Sequence, residues 1–161
     1  MTRLFLGLIF VLLDFELTLG TATFGLVPDF IGYFLMMKGM TALAEDNEIM
    51  DRWRHVAFAL ALGALAVYIG DLIEKPPMSD VLLWLFGLGM EIVFFVLLHR
   101  ILAGLGRERM KQAREFYPVL VAVRLVCCLL DWIPLVGTVC VVAGAVVAVC
   151  FLVVLGKGLR K

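Results

Sequence analysis

The chain has 161 residues, of which 63% are hydrophobic and only 17% are charged. Soluble proteins average roughly 45–50% apolar and about 25% charged residues, and a small domain has too much surface to hide such an excess. The 14 basic and 14 acidic residues cancel, which argues against a nucleic acid as partner. The composition therefore predicts one integral membrane domain over residues 1–161, with the lipid bilayer as its surroundings.

Six segments approach the ~20 apolar residues that a membrane-spanning helix needs. They are Leu4–Leu19, Pro28–Ala44, Val56–Ile73, Asp80–Leu98, Phe116–Leu130 and Pro134–Leu155. The connections between them are short, so no loop is long enough to form a soluble domain. The sequence predicts an all-α integral membrane protein with six transmembrane helices in three hairpins.

Twelve of the 14 basic residues fall on one side of this arrangement, before the first span and at or after each even-numbered one, whereas Lys75 falls on the other side and Arg124 lies inside a span. The twelve are Arg3, Lys38, Arg52, Arg54, Arg100, Arg107, Arg109, Lys111, Arg114, Lys157, Arg160 and Lys161. Because basic loops stay in the cytoplasm, we expect a multi-pass protein of the cell membrane with both termini cytoplasmic. Cleavage of the first segment as a signal peptide is an alternative, but Asp14 and Glu16 would interrupt its apolar region.

The first and last hairpins share a sequence pattern. Leu12-Leu13-Asp14-Phe15 followed by Gly20-Thr21 matches Leu129-Leu130-Asp131-Trp132 followed by Gly137-Thr138 at identical spacing. Both copies start from the same predicted side of the membrane, so they predict a parallel repeat. A chance similarity between two apolar segments is the alternative interpretation.

Ionisable residues within or beside the apolar segments are functional candidates, because a charge in hydrocarbon is energetically unfavourable. The candidate substrate- or ion-binding residues are Asp14, Glu16, Asp29, Lys38, Glu91, Arg124 and Asp131. At 1.5 Å per residue, Glu91 lies about 18 Å from the outer surface and Arg124 about 12 Å from the inner surface. In a hydrocarbon core ~30 Å thick, these two positions are at the same depth. We expect an ion pair between them, serving either helix packing or transport.

The connection Thr18–Pro28 carries three threonines, two glycines and no charge. It is either an outer loop that lines a substrate cavity or an ordinary extracellular turn. Pro28 suits the first turn of a helix, and Asp29 complements the dipole at a helix N-terminus.

Small residues at four-residue spacing predict close helix packing, either within the chain or in an oligomer. On the third span they are Ala59 with Gly63 and Ala66 with Gly70, and on the sixth span they are Cys140, Gly144 and Ala148. The four cysteines lie in apolar stretches without metal-ligand spacing, so we expect neither a metal nor a disulfide. No cofactor or enzyme motif occurs, and we expect a protein that is not an enzyme.

Residues Gly25–Tyr33 read Gly-Leu-Val-Pro-Asp-Phe-Ile-Gly-Tyr. This segment resembles small membrane proteins of Gram-positive, clostridial-type bacteria to which no activity is attached. Size and span count are similar to the substrate-binding subunits of energy-coupling-factor vitamin transporters. Those subunits carry alanines at four-residue spacing on their first helix, whereas Leu4–Phe10 reads Leu-Phe-Leu-Gly-Leu-Ile-Phe here.

The leading functional hypothesis is a small-solute transporter or the membrane subunit of a transporter. It rests on the ionisable residues in the spans and on the uncharged connection. The main alternative is a non-catalytic partner that docks onto other membrane proteins or onto its own copies. An ion channel and a membrane enzyme are less favoured alternatives.

Overall fold

The computed structural model describes residues 1–13, 16–19, 22–25, 29–72, 80–106, 108, 110–130 and 134–160. Within these residues the chain forms six helices and one short two-stranded hairpin. The six helices hold nearly all of the regular structure, which confirms the all-α class. In chain order the elements are α1 (Thr2–Leu13), β1 (Glu16–Leu19), β2 (Ala22–Gly25), α2 (Asp29–Thr41), α3 (Glu48–Leu72), α4 (Asp80–Gly104), α5 (Lys111–Leu130) and α6 (Pro134–Arg160).

The first predicted span is wrong in its second half. A single helix was expected over Leu4–Leu19, but α1 ends at Leu13 and Glu16–Leu19 is a strand that pairs antiparallel with Ala22–Gly25. Thr18 and Thr23 are β-branched and Gly25 has the lowest helix propensity of ordinary residues, so this stretch favours extended backbone.

The two copies of the predicted repeat share a helix end and then diverge. Both α1 and α5 end at the second leucine of the pattern, Leu13 and Leu130. The first copy continues into strand β1, whereas the second continues into α6 from Pro134. The two connections therefore differ in secondary structure, and the repeat of whole hairpins stays a prediction. Asp14, Phe15, Gly20, Thr21, Asp131 and Trp132 lie outside the described residues.

Helix α3 begins two turns before the predicted span, and α4, α5 and α6 also extend beyond theirs at the basic end. The side-chain oxygen of Asn47 accepts hydrogen bonds from the backbone N–H groups of Ile49 and Met50, at 3.1 and 3.4 Å. Arg52 and Glu48 pair at 2.8 Å one turn apart. Capping and such pairs stabilise a helix without apolar residues, so its boundary does not follow hydropathy.

The chain divides into two compact units, Met1–Arg100 and Ile101–Lys161. In the first unit, α1 packs antiparallel against α2 at close range. A Cβ atom added to Gly7 would lie 2.6 Å from the carbonyl oxygen of Gly32, and one added to Gly39 would lie 2.6 Å from the backbone nitrogen of Leu4. The two backbones touch because glycine has no side chain to hold them apart.

Helices α3 and α4 also run antiparallel within the first unit. The Arg100 guanidinium lies over the Trp53 ring, 5.2 Å from its centroid. Gly63 lies ten residues after Trp53 on α3, and Met90 lies ten residues before Arg100 on α4. A Cβ added to Gly63 would lie 3.2 Å from the sulfur of Met90. The start of α3 and the Arg100 end of α4 therefore lie at the same end of the unit.

In the second unit, Arg114 of α5 links the start of that helix to the end of α4. Gly106 has a φ of 96°, which favours glycine and ends the preceding helix. The Nε and Nη2 groups of Arg114 donate hydrogen bonds to the carbonyl oxygen of Leu102, at 3.3 and 3.1 Å. This guanidinium satisfies a carbonyl that has no partner within its own helix.

Two helical segments are long and apolar enough to cross a membrane by length and composition, among the residues that could be tested. They are Trp84–Gly104 and Val142–Leu159. Helix α1 is apolar but only 12 residues long, or about 18 Å. Six spans are therefore not confirmed, while the two segments weakly indicate membrane association.

Candidate functional site

Large apolar side chains are exposed along the faces of α3, α4, α5 and α6. On α6 five valines follow one another at steps of three and four residues and form the valine stripe, Val139, Val142, Val146, Val149 and Val153. Val139 and Val142 are 67% and 61% exposed. A contiguous apolar face of this extent marks a surface that meets lipid or another protein.

The buried side chains are apolar throughout the part of the chain that the structure describes. No polar or charged residue is buried there, and the largest fully buried side chains are Phe94 and Phe151. Among the ionisable residues whose burial is described, Tyr33 is 4% exposed and the others are therefore at least partly accessible. The site must be sought among half-buried groups and at the ends of the helices.

Glu91 and Arg124 are the ionisable candidates that lie well inside apolar helices. Glu91 is half-buried in α4, and Arg124 is half-buried in α5, where its Cδ atom lies 3.8 Å from the position of a Cβ on Gly144. The two residues belong to different structural units. The ion pair between them stays a prediction.

Lys38 and Asp29 occupy opposite ends of α2. Lys38 is exposed in the last turn, and its ammonium lies over the ring of Phe34, 4.8 Å from the centroid. This contact is typical of a lysine whose stem covers apolar surface while its charge reaches the interface. Asp29 is half-buried in the first turn of the helix, where the dipole favours a carboxylate.

The remaining candidates can be placed only in part. Glu16 lies on β1 and Gly70 on α3 by their backbones alone, and the burial of both residues falls outside the description. Asp14 and Asp131 lie outside the described residues. The described residues therefore do not bring the seven binding candidates together into one cavity.

The small residues of α6 face α5. The Cys127 thiol donates to the carbonyl oxygen of Cys140 at 3.2 Å, Gly144 lies next to Arg124, and Ala148 is fully buried. Sequence reasoning missed the closer contact between α1 and α2. The spacing of the glycines on these helices could have indicated a close helix contact, but it could not have shown which residues they contact.

A polar groove at one end of the first unit was also missed. It is lined by one face of α3 and the end of α4, through Glu48, Ile49, Arg52, Trp53 and Arg100. We call it the arginine–tryptophan groove. A tryptophan flanked by arginines was visible in the sequence, but nothing local linked it to Arg100.

A second groove lies at the start of α5 and is lined by Glu108, Lys111, Arg114 and Glu115. Its charges balance, and Arg114 is already engaged by the carbonyl of Leu102. Within the described residues, no three His, Cys, Asp or Glu side chains are grouped as metal ligands.

Comparisons with known proteins give no match to a family model, to a curated protein or to a solved structure. The resemblance of Gly25–Tyr33 to clostridial-type membrane proteins therefore stays a prediction. The function must be argued from the residues and their geometry.

Proposed function

We propose that this chain is a multi-pass protein of the bacterial cell membrane with both termini in the cytoplasm. The observation that supports a bilayer location is the exposed apolar surface on α3 to α6, which includes the valine stripe. In water, such faces would be an aggregation hazard. In lipid, they need no covering.

The arrangement of the first unit supports a cytoplasmic N-terminus. The contact of Leu4 with Gly39 brings the start of α1 to the end of α2, and the contact of Trp53 with Arg100 brings the start of α3 to the end of α4. The basic residues at these ends are Arg3, Lys38, Arg52, Arg54 and Arg100. Basic residues clustered at one end favour the cytoplasmic side.

Reporter fusions at Met1 and Lys161 test this topology. A cytoplasmic reporter should be active at both ends, and a reporter that works only outside the cytoplasm should be inactive. A terminus that is active on the outer side, or a chain released from membranes by alkaline carbonate, would refute the proposal.

Within that membrane protein, we propose small-solute transport, either alone or as the membrane subunit of a transporter. The observation that carries it is the pair of half-buried ionisable residues, Glu91 and Arg124, inside apolar helices. Charges at membrane depth usually face a cavity or a partner and mark ion or solute pathways. Both helices offer apolar faces to lipid and keep these groups partly covered.

Native mass spectrometry of protein extracted gently from its host membrane tests the transport proposal. We expect a bound small molecule or a stoichiometric ATPase, with the small molecule lost in Glu91→Gln. Glu115→Gln is the matched control, because Glu115 is exposed at the start of α5. A spectrum without ligand or ATPase, identical in both variants, would contradict transport.

A double-mutant cycle then decides what the two charges do. Glu91→Gln and Arg124→Gln should each destabilise the protein, and the double variant should be less affected than their sum if they pair. Additive effects would refute the ion pair. Loss of ligand at full stability would separate a transport role from a packing role.

A non-catalytic membrane partner is the second candidate, favoured by the valine stripe. Apolar residues at alternating steps of three and four form the seam between two packed helices. The same spectrum would then contain a stoichiometric membrane protein or a second copy, without a small molecule. Replacing Val142 and Val146 with alanine should weaken that complex, whereas Glu91→Gln should leave it intact.

A further inference from the structure

The arginine–tryptophan groove has the charge to hold an anion. Arg52 pairs with Glu48 at 2.8 Å, and the guanidinium of Arg100 lies over Trp53 at 5.2 Å. Two arginines against one glutamate leave one net positive charge in the groove. A guanidinium over a ring still presents N–H donors at its rim, and arginine suits phosphate oxygens in particular.

The N-terminus of α3 does not supply the donors. Asn47 already accepts hydrogen bonds from the backbone N–H groups of Ile49 and Met50. The first turn also carries Glu48 and Asp51, which complement the helix dipole. An anion in the groove would therefore depend on the two arginine side chains, which makes the inference testable by substitution.

Apolar surface continues from Arg100 toward the middle of α4. Val96 and Val93 lie four and seven residues before Arg100 on α4, and both are exposed on the same face of the helix. A ligand that matches this surface has a phosphate at one end and a hydrocarbon chain at the other.

We propose that the groove binds the headgroup of an anionic phospholipid. Arg52 and Arg100 donate hydrogen bonds to phosphate oxygens, and Trp53 lies at the headgroup level, where tryptophan is enriched in membrane proteins. One acyl chain lies along Val96 and Val93. This inference rests on the proposed membrane location, but not on transport.

The test is native mass spectrometry of the full chain, released from nanodiscs that contain equal amounts of phosphatidylglycerol and phosphatidylcholine. The wild type should retain phosphatidylglycerol in preference. Arg52→Gln and Arg100→Gln should each weaken that retention about fivefold, the value of one basic side chain at an anionic surface. Arg54→Gln is the matched control, because Arg54 lies on the same turn and pairs with Asp51 at 3.0 Å, outside the groove.

Equal losses in all three arginine variants would overturn the inference, because they would indicate general surface charge. Displacement of the lipid by millimolar inorganic phosphate would also overturn it, since the ligand would then be the free ion. Arg52 is 74% exposed along its side chain, so its variant decides the matter even if Arg100→Gln fails to fold. A wild type that does not enter nanodiscs refutes the membrane location itself, and one that enters without lipid preference refutes only this site.

Discussion

Replacing Gly7 with alanine should push α1 and α2 apart. The added Cβ would lie 2.6 Å from the Gly32 carbonyl oxygen and 2.7 Å from the Met36 nitrogen. Ordinary contacts lie near 3.5–4.0 Å, so the helices must separate by about 1 Å. Both opposing atoms belong to the backbone of a regular helix and cannot rotate away as a side chain can.

The cost can be isolated with Gly87→Ala as control. Gly87 is exposed within α4, and its Cβ would meet nothing within 4 Å. Both substitutions gain the same helix propensity of about 1 kcal/mol, which cancels in their difference. That difference should therefore equal the overpacking penalty of about 1–3 kcal/mol.

Reversible unfolding in mixed detergent micelles, followed by circular dichroism, measures this difference. Gly7→Ala should unfold at a lower SDS fraction than the wild type, and Gly87→Ala at the same fraction or higher. Adding Gly39→Ala to Gly7→Ala should cost less than it does alone, because the helices have already separated. Equal stability of Gly7→Ala and Gly87→Ala would refute the close contact of α1 with α2.

Substitutions at three further positions probe single contacts by the same titration. Asn47→Ala should lower the free energy of unfolding by about 1 kcal/mol, since it removes the cap of α3, and Asn47→Asp should restore it. Arg114→Gln should cost about 1–2 kcal/mol, because two hydrogen bonds to the Leu102 carbonyl are lost, and an unchanged midpoint would contradict that role. Gly144→Ala should be tolerated, because the new Cβ meets only the Arg124 side chain at 3.8 Å, whereas Gly144→Leu must displace that side chain and should be clearly less stable.

Hydropathy predicted the helical class and the approximate places of α2 to α6. It could not place the beginning of α3, because the segment from Glu48 to Arg54 is strongly charged and is stabilised by a cap and by charge pairs as well as by the burial of Met50. It failed at Glu16–Leu19 because apolarity alone does not distinguish a strand from a helix in a short segment.

The contacts that shape the candidate sites were harder to predict than the elements. Gly32 and Gly39 are one heptad apart, but only the register of α1 on α2 shows that they meet Leu4 and Gly7. The groove joins Trp53 to Arg100 across two helices, and no local pattern carries that information. Glu91 and Arg124 were recognisable because a charge is conspicuous in an apolar run.

The glycine contact between α1 and α2 has a consequence for how the protein is made. It joins two helices that follow one another in the chain and are linked by a short connection. Contacts of low sequence separation need little loop closure and form quickly. This pair can therefore assemble while the rest of the chain is still being synthesised, and it offers later helices a ready surface on which to fold.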